Sequence, residues 1–591
     1  MKHAACYTKN YPRPQFVRGN FTLLDGKWDF AFDDGNVGEG QRWFDGLPEA
    51  VKITVPFAYQ TEKSGVNSDD FHPVVWYAKK IKFARLDGKR IMLNFEGVDH
   101  FAKVWCNGVY IGSHTGGYCR FSLDITSAVN SDGQALIAVR AEDGKECTKP
   151  RGKQSWLNTP FGCWYPPTTG IWKSVWAEQV SATHIKRVKM TPVESTYHMF
   201  TEYETVGDCR GCSLGVTVKY DGQVVADLTE KLVRPVHTLS VDLSNDLDSF
   251  KIHWWTPDAP NIYDVEFRLY DGDGNVLDEV KSYTAFRIFK PSGNKLMLNL
   301  NPFYVRAVLE QAYWRDSGLT APDENALIKE IELSKACGFN CMRMHQKIED
   351  ERFYYYADIM GMTVFCEMPS AYEFKDAAVF NTVAEWSEAV AQNYNHPSIV
   401  AWAPVNESWG VNRITSNPCE ASLTRALYDL TKAYDGMRPV ISNDGWEHTT
   451  SDIVTFHNYC QDPAEFADFY GELSAVLYGN NRVPYSNLRV PFVNGYGYEG
   501  QPVLIDEFAG IGFEKNGDGW GYGTKAGSER EFTARLEGLV NAITAHHDVA
   551  GFCITQLTDV YQEINGLFDF DRAPKAPVEE IRRIVTAKRG A

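Results

Sequence analysis

The sequence predicts a multidomain chain in which a (β/α)8 TIM barrel is preceded by a jelly-roll β-sandwich and an immunoglobulin-like β-sandwich. Three observations carry this expectation. At 591 residues the chain exceeds what one hydrophobic core organises. Residues 1–290 read as short strand runs broken by turn dipeptides, and residues 291–591 alternate strand and helix patterns. The composition, 44% apolar and 23% charged, is that of a globular protein with a sizeable core.

The first domain is expected over 1–180. Runs such as Ile91 to Phe95, Ala102 to Cys106 and Val109 to Ile111 are strand-like, and Asn107-Gly108 between the last two is a type I′ hairpin signal. Such strand density without helical periodicity fits a jelly roll, whose double sheet manages its own edges. The second domain, 181–290, continues with Val216 to Tyr220, Asp221-Gly222 and Val224 to Leu228, then Val265 to Tyr270 before Asp271-Gly272-Asp273-Gly274. About a hundred residues of this kind suggest an immunoglobulin-like sandwich.

Over 291–591 eight barrel strands are expected: Tyr304 to Leu309, Cys341 to His345, Thr363 to Glu367, Ile399 to Val405, Pro439 to Asn443, Ile453 to His457, Val503 to Ile505 and Gly551 to Thr555. Amphipathic helices fall between most of them, one carrying Leu327, Ile328 and Ile331 and ending near Gly338, another carrying Leu423, Leu427 and Leu430. These stripes are packing faces. In such barrels catalytic groups sit at the C-terminal ends of strands, which selects where to look for chemistry.

A formal charge of −18 argues against nucleic acid or an anionic membrane as partner, since both reward clustered Lys and Arg. The 30 Tyr, 33 Phe and 16 Trp mostly pack the core, and some are available to stack on sugar rings. Met1 to Tyr7 lacks an apolar run long enough for a signal peptide, so a cytoplasmic protein is expected. The 13 cysteines, without CxxC or Cys/His spacing, read as free thiols rather than disulfides or a zinc site. No metal or cofactor is expected, and a symmetric homo-oligomer is.

The fourth strand ends in Asn406-Glu407-Ser408-Trp409-Gly410 and the seventh in Asp506-Glu507-Phe508. Two strand-end carboxylates facing each other across a barrel mouth can protonate the leaving oxygen of a glycoside and attack its anomeric carbon. Glu367, ending the third strand, is a third carboxylate and reads as support. Arg343 and His345 end the second strand, and His457 and Tyr459 follow the sixth. Lys347, Asp444 and Trp446 are further strand-end candidates, and Trp314, Trp409 and Trp520 are candidate stacking walls. Asn494 to Gly500 and Gly517 to Gly523 flank the seventh strand as Gly- and Tyr-rich rims.

The chain resembles glycoside hydrolase family 2 over nearly its whole length. Leu24-Asp25-Gly26-Lys27-Trp28, Val55-Pro56 and Trp76-Tyr77 resemble the opening of that family's sugar-binding domain, and Thr169-Gly170-Ile171-Trp172 its closing loop. Asn395-His396-Pro397-Ser398-Ile399 followed by Asn406-Glu407-Ser408 is similar to its acid/base segment, and Asp506-Glu507-Phe508 to its nucleophile strand. The resemblance implies a retaining double displacement with Glu407 as acid/base, Glu507 as nucleophile, and Asn406 on the substrate 2-hydroxyl. Such a mechanism needs carboxyl groups about 5 to 5.5 Å apart.

The family pattern breaks where the sugar is chosen. Its glucuronidases carry Asn-x-Lys near the last strand, where this chain reads Glu563-Ile564-Asn565-Gly566-Leu567-Phe568. The cation is missing, and a charged Glu563 would repel a uronate, leaving Lys347 as the alternative cation. Its β-galactosidases carry an Arg-Gly-Val-Asn-type segment after the first strand, where this chain reads Arg306-Ala307-Val308-Leu309-Glu310-Gln311. Trp164 stands where they place an acidic residue of the sugar-binding-domain loop. The expected function is a retaining exo-glycosidase acting on a terminal neutral sugar, β-galactosidase-like. Two rivals stand beside it: a uronidase or a pentosidase such as an arabinosidase, and a carbohydrate-binding protein whose barrel has lost catalysis.

Overall fold

The Asn107-Gly108 dipeptide has φ of 49° and 76°, and Asp221-Gly222 has 49° and 79°. Both pairs adopt the left-handed backbone that a two-residue hairpin requires. The first closes Phe101–Cys106 onto Val109–Thr115, and the second closes Ser213–Tyr220 onto Gln223–Lys231. The computed structural model describes residues 2–84, 86–157, 159–244, 252–483, 489–514 and 519–588.

The first sandwich stacks a six-stranded antiparallel sheet on a four-stranded one built from Phe21–Leu23, Val175–Ser181, Lys89–Phe95 and Phe121–Asp124. Alternate side chains from both sheets, among them Trp28, Phe30, Leu93, Phe95, Val104 and Val139, form its core. The second sandwich packs three strands, His184–Val193, His198–Val206 and Val236–Asp242, over a four-stranded sheet ending at Val276–Thr284. Its core gathers Tyr203, Leu214, Val216, Leu239 and Phe267.

The barrel sheet is parallel. It runs from Ile399–Ala403 through Thr363–Glu367, Cys341–Met344, Val305–Glu310, Val549–Thr555 and Val503–Ala509 to Val454–Asn458. That makes seven regular strands, all seven completely or largely buried, as expected of strands covered on both faces.

The eighth member, expected over Pro439 to Asn443, is not a regular strand. It fills its place between Ile399–Ala403 and Val454–Asn458 through isolated bridges at Val440 and Asp444. Pro439 has no N–H to donate but accepts from Trp402 N at 3.1 Å, and Ile441 N donates to Trp402 O at 2.8 Å. On the other side two backbone bonds remain, from Asp452 N to Val440 O at 2.9 Å and from His457 N to Gly445 O at 3.3 Å, and side chains supply the rest: Gly445 N donates to Thr455 Oγ1 at 2.7 Å, and Ser442 N to Ser451 Oγ at 3.1 Å. No helix among the described residues lies between Tyr434 and Pro463. The chain returns directly into the sixth position.

The Asn395-His396-Pro397-Ser398 segment has a structural task. Asn395 accepts from Met190 N at 2.8 Å and donates to Val188 O at 2.9 Å, docking the second sandwich on the barrel. His396 Nδ1 and Tyr283 Oη meet Asp358 Oδ2 at 2.7 and 2.6 Å, and Ser398 N donates to Asp358 Oδ1 at 2.8 Å. Asp358 therefore ties the sandwich, a barrel helix (Glu351–Met360) and the base of the fourth strand together. Asp358→Ala leaves three buried polar groups without partners, and a loss of about 3 kcal/mol or more is expected, read as a lowered Tm. An unchanged Tm would show that this junction is not a stability element.

Candidate active site

Ala312, Gln346, Glu407, Ser408 and Ala509 all have positive φ, between 48° and 65°. They lie at or just after the ends of the first, second, fourth and seventh strands, on one rim of the barrel. Non-glycine residues adopt this backbone at a cost that surrounding contacts must offset, and such residues cluster at functional sites. At the fourth strand the contacts are visible: Glu407 N donates to Asp444 O at 2.9 Å and Ser408 N to Asn443 Oδ1 at 2.9 Å. At the seventh strand a bulge does the aiming. Phe456 pairs with Ile505 but His457 with Glu507, so Asp506 is an extra residue and Glu507 is turned into the barrel mouth.

Arg343 organises the floor. Its Nε donates to Asp444 Oδ2 at 2.7 Å, Nη1 to Glu507 Oε1 at 2.6 Å, and Nη2 to Asn406 Oδ1 at 2.8 Å. Nη2 also contacts Glu367 Oε2 at 2.7 Å. Every nitrogen of a fully buried guanidinium is thus engaged, as desolvation demands. Glu367 in turn meets His345 Nδ1 at 3.1 Å and accepts from Gln346 N at 3.0 Å.

His457 stands between the two principal carboxylates. Its Nδ1 lies 2.8 Å from Glu407 Oε1 and 3.5 Å from Glu507 Oε2, and its Nε2 lies 3.4 Å from Asp506 Oδ1. Tyr459 Oη donates to Glu507 Oε2 at 2.5 Å, and Trp409 Nε1 to Glu407 Oε2 at 3.2 Å. One oxygen of Glu407, one of Glu507 and one His457 nitrogen lie within 4.8 Å of one another.

These contacts set the charges. Burial by itself would raise the Glu507 carboxyl, but His457, Arg343, His345 and the Tyr459 hydroxyl outweigh it and hold it down at about 2. Burial likewise opposes charge on His457, and Glu507, Asp506 and Glu407 overcome it, raising its pKa well above the ordinary imidazole value. Burial and the adjacent Asp444 carboxylate push Asp506 well above the usual carboxylate range. The triads Glu407/His457/Glu507 and Asp444/His457/Asp506 have metal-like spacing, and both share His457.

Of the residues singled out by sequence, Arg343, His345, Glu367, Asn406, Glu407, Asp444, His457, Tyr459 and Glu507 converge here. Trp446 packs edge-on against His457, with ring centroids 5.4 Å apart. Trp164 and Trp409 meet at 5.4 Å and, with Trp156, Phe161 and Tyr372, form an aromatic wall. Trp520 serves as a clasp, its Nε1 donating to Gly162 O at 2.9 Å and so tying the barrel rim to the sandwich loop. Of the expected rim 517–523, Gly517 and Asp518 lie outside the described residues.

Lys347 and Trp314 sit elsewhere. Lys347 Nζ pairs with Glu349 at 2.5 Å, donates to Ala312 O and Leu319 O at 2.7 and 2.8 Å, and lies 5.2 Å from the Trp314 ring. It is fully engaged with the protein, because a buried ammonium exhausts its three donors locally.

The sequence reading missed Tyr522 as a site residue. Tyr522 stacks on Tyr459 with centroids 3.4 Å apart and planes 5° off parallel. It belongs to the Gly- and Tyr-rich stretch that reads as rim, and its composition was the available signal.

A parallel β/α barrel with two carboxylates on opposing strand ends, one kept anionic by buried cations, is the arrangement by which glycoside hydrolases on this fold work. Family-level comparison agrees. Residues 21–148 match the sugar binding domain of glycosyl hydrolases family 2, residues 183–287 its central domain, and residues 290–476 its TIM barrel domain. The chain belongs to glycosyl hydrolases family 2.

Among its relatives, a β-galactosidase of Thermoanaerobacter pseudethanolicus is 29% identical over 404 residues, covering 65% of this chain and 50% of that protein. A β-glucuronidase of Paenibacillus borealis is 25% identical over 451 residues, covering 71% and 72%. The chain spans half or less of the length of the first curated relatives it matches. In fold it is similar to the β-glucuronidase of Ruminococcus gnavus solved with D-glucuronic acid, with a TM-score of 0.78, 20% identity, and coverage of 99% and 100%.

Proposed function

We propose that this chain is a retaining exo-glycosidase in which Glu507 is the nucleophile and Glu407 the acid/base. The observation that carries this reading is the closeness of the two carboxyl groups, with oxygens within 4.8 Å. An inverting enzyme would need about 6.5–9.5 Å to admit water between them. In the proposed first step Glu507, anionic down to about pH 2, attacks the anomeric carbon while Glu407 protonates the departing oxygen. In the second, Glu407 takes a proton from water, which displaces the sugar from Glu507.

Asn406 gives its carbonyl to Arg343 and leaves Nδ2 without a protein partner. A buried donor without a partner is costly, and a substrate hydroxyl at C2 would satisfy it. Exo action is the reading supported by the contacts that tie the barrel rim to the sandwich loop, where Trp520 Nε1 and Gln562 Nε2 both donate to Gly162 O. The test is the anomer first released from an aryl β-glycoside, followed by NMR. A retained β product is expected, and an inverted α product would refute the double displacement.

Tyr459→Phe removes a hydrogen bond that favours ionised Glu507, so the Glu507 pKa rises from about 2. The acid limb of kcat/KM is expected to move upward in pH, with kcat/KM at neutrality falling about 10- to 100-fold. An unshifted acid limb would separate Tyr459 from the nucleophile.

A neutral sugar is the reading the sequence favours, and the relatives named β-galactosidase are compatible with it. A second reading, an acidic sugar, is favoured by the state of Glu563. Its Oε1 accepts from Tyr165 Oη at 3.0 Å, and burial raises its pKa, which weakens the repulsion the sequence suggested.

A further inference from the structure

The imidazole of His457 lies on the backbone of Gly445. A Cβ at that glycine, whose φ is +98°, would stand 2.7 Å from His457 Cγ and Nδ1, so only glycine leaves room for the ring. Trp446 packs edge-on against it, and the His457 side chain has no exposed surface. Clamped in this way, the ring holds Nδ1 2.8 Å from Glu407 Oε1 and Nε2 3.4 Å from Asp506 Oδ1. Glu407 is 20% exposed, so it is the end of this chain of groups that opens on the cleft.

Behind the ring stand two carboxyl groups that the catalytic steps leave unused. Both Asp506 oxygens and Asp444 Oδ1 are buried without a hydrogen bond from any described N–H or O–H, and one atom each of Asp444, Asp506 and His457 lie within 4.8 Å of one another. Neighbouring carboxyl groups with no donor between them hold a proton in common. Arg343 keeps Asp444 ionised, so that proton rests on Asp506, whose Oδ1 is left to accept from Nε2–H. The other charged groups facing the ring are Glu407 from the fourth strand and Glu507 from the seventh, with Arg343 bound to Glu507. His448, held down at about 4 by burial, adds no charge near neutrality. Glu507 lies farther from Nδ1, at 3.5 Å, and already accepts from Arg343 and Tyr459, whereas Glu407 Oε1 has no other partner among the described residues. A proton on Nδ1 therefore reaches the cleft through Glu407.

We propose that His457 stores the proton that Glu407 delivers, Nδ1 passing it forward as the glycosidic bond breaks and taking one back when water is activated. This rests on the retaining-glycosidase reading for the roles of Glu407 and Glu507. In the first half the bond from C1 to the leaving oxygen breaks, that oxygen gains a proton from Glu407, Glu407 gains one from Nδ1, and the Glu507 carboxylate bonds C1. In the second half the water oxygen bonds C1 as the Glu507 bond breaks, a water proton goes to Glu407, and one returns to Nδ1. His457 thus alternates between imidazolium and a neutral ring whose remaining N–H, at Nε2, faces Asp506. It acts through Glu407 as a positioning residue. The gain is a proton kept near neutrality, where a lone carboxyl with an ordinary value of about 4.3 has lost its own.

The test compares pH profiles of kcat/KM, which covers the steps through glycosyl-enzyme formation, for an alkyl and a dinitrophenyl glycoside in wild type and His457→Asn. An alkoxide departs only with a proton, so the alkaline limb for the alkyl glycoside is expected to fall by about one pH unit or more in the variant, a loss of about 10-fold or more above that limb. Dinitrophenolate needs no proton, and its alkaline limb should stay in place. The acid limb should rise alike for both substrates, since His457 also faces Glu507. Equal displacement of the two alkaline limbs, or none, overturns the relay and leaves the retaining reading standing. The proton itself is followed by NMR titration of the His457 ring, assigned among 14 histidines by difference against His457→Asn, or His457→Gln where the first does not fold. Glu407→Gln is expected to lower that titration by about one pH unit or more, and an unchanged titration overturns the relay. A lowered titration in a protein that cleaves neither glycoside supports the shared proton and rejects the retaining reading. Stoichiometric divalent metal in the purified protein, lost to a chelator together with activity, overturns the relay, because Nε2 and Asp506 would then be its ligands.

Discussion

Glu507→Gln is expected to reduce kcat/KM by about four orders of magnitude or more while the protein remains folded. The amide has nearly the carboxylate's shape; its oxygen can take the place of Oε1 beside Arg343, and the Tyr459 hydroxyl beside the former Oε2 can turn to accept from the amide N–H, so packing at the seventh strand is preserved. It has neither the charge nor the nucleophilicity to form a glycosyl-enzyme. Arg343 still contacts Asp444, Glu367 and Asn406, which is why removing one of its partners does not empty the network. In wild type a slow, fluorinated glycoside should label Glu507, detected by mass on its peptide. Activity like that of wild type in the Gln variant, or a label on another carboxylate, would remove Glu507 as nucleophile.

The same substitution has a pH signature. Glu507 is held near 2 in the folded protein against an ordinary value of 4.5, so its ionisation contributes stability above about pH 4.5. That contribution is lost as pH falls from 4.5 toward 2. Wild type should therefore lose Tm through this window more steeply than Glu507→Gln, whose side chain does not titrate. Parallel Tm curves would show that Arg343 and His457 do not depress this group.

Glu407→Ala is expected to act selectively. Glycosides with poor leaving groups should lose about 1000-fold or more in kcat, because an alkoxide cannot depart unprotonated. Aryl glycosides with acidic phenols need no such proton and should still form the glycosyl-enzyme, after which turnover stalls for lack of a base. Azide should then restore turnover and yield a β-glycosyl azide, since a small anion occupies the emptied space and needs no deprotonation. Equal loss on good and poor leaving groups, without azide rescue, would assign Glu407 a binding role instead. His457 is expected to lose part of its positive bias in this variant, because Glu407 Oε1 at 2.8 Å is one of the carboxylates that keep it charged.

The barrel was legible because its strands are buried on both faces and its helices on one, and both leave their period in the sequence. The exception is instructive. Pro439 to Asn443 reads as apolar strand, yet a proline and the polar residues Ser442 and Asn443 exchange ladder bonds for side-chain bonds, so the position is filled without a regular strand. Glu407 was legible from a long motif. The Asn395 to Ser398 part of that motif, however, works at the domain junction and reaches the chemistry only by fixing the fourth strand.

By itself the sequence determined the layered architecture, the pair of strand-end glutamates and most of the residues around them, because periodicity and turn chemistry are local properties. Only the tertiary structure decided how those residues are charged and aimed. The bulge at Asp506, the left-handed backbone at Glu407 and the fourfold engagement of Arg343 depend on strands far apart in the chain. It also separated Lys347 from the pocket, since a lysine's role is set by which carboxylates it reaches once water is excluded, and no spacing along the chain encodes that distance.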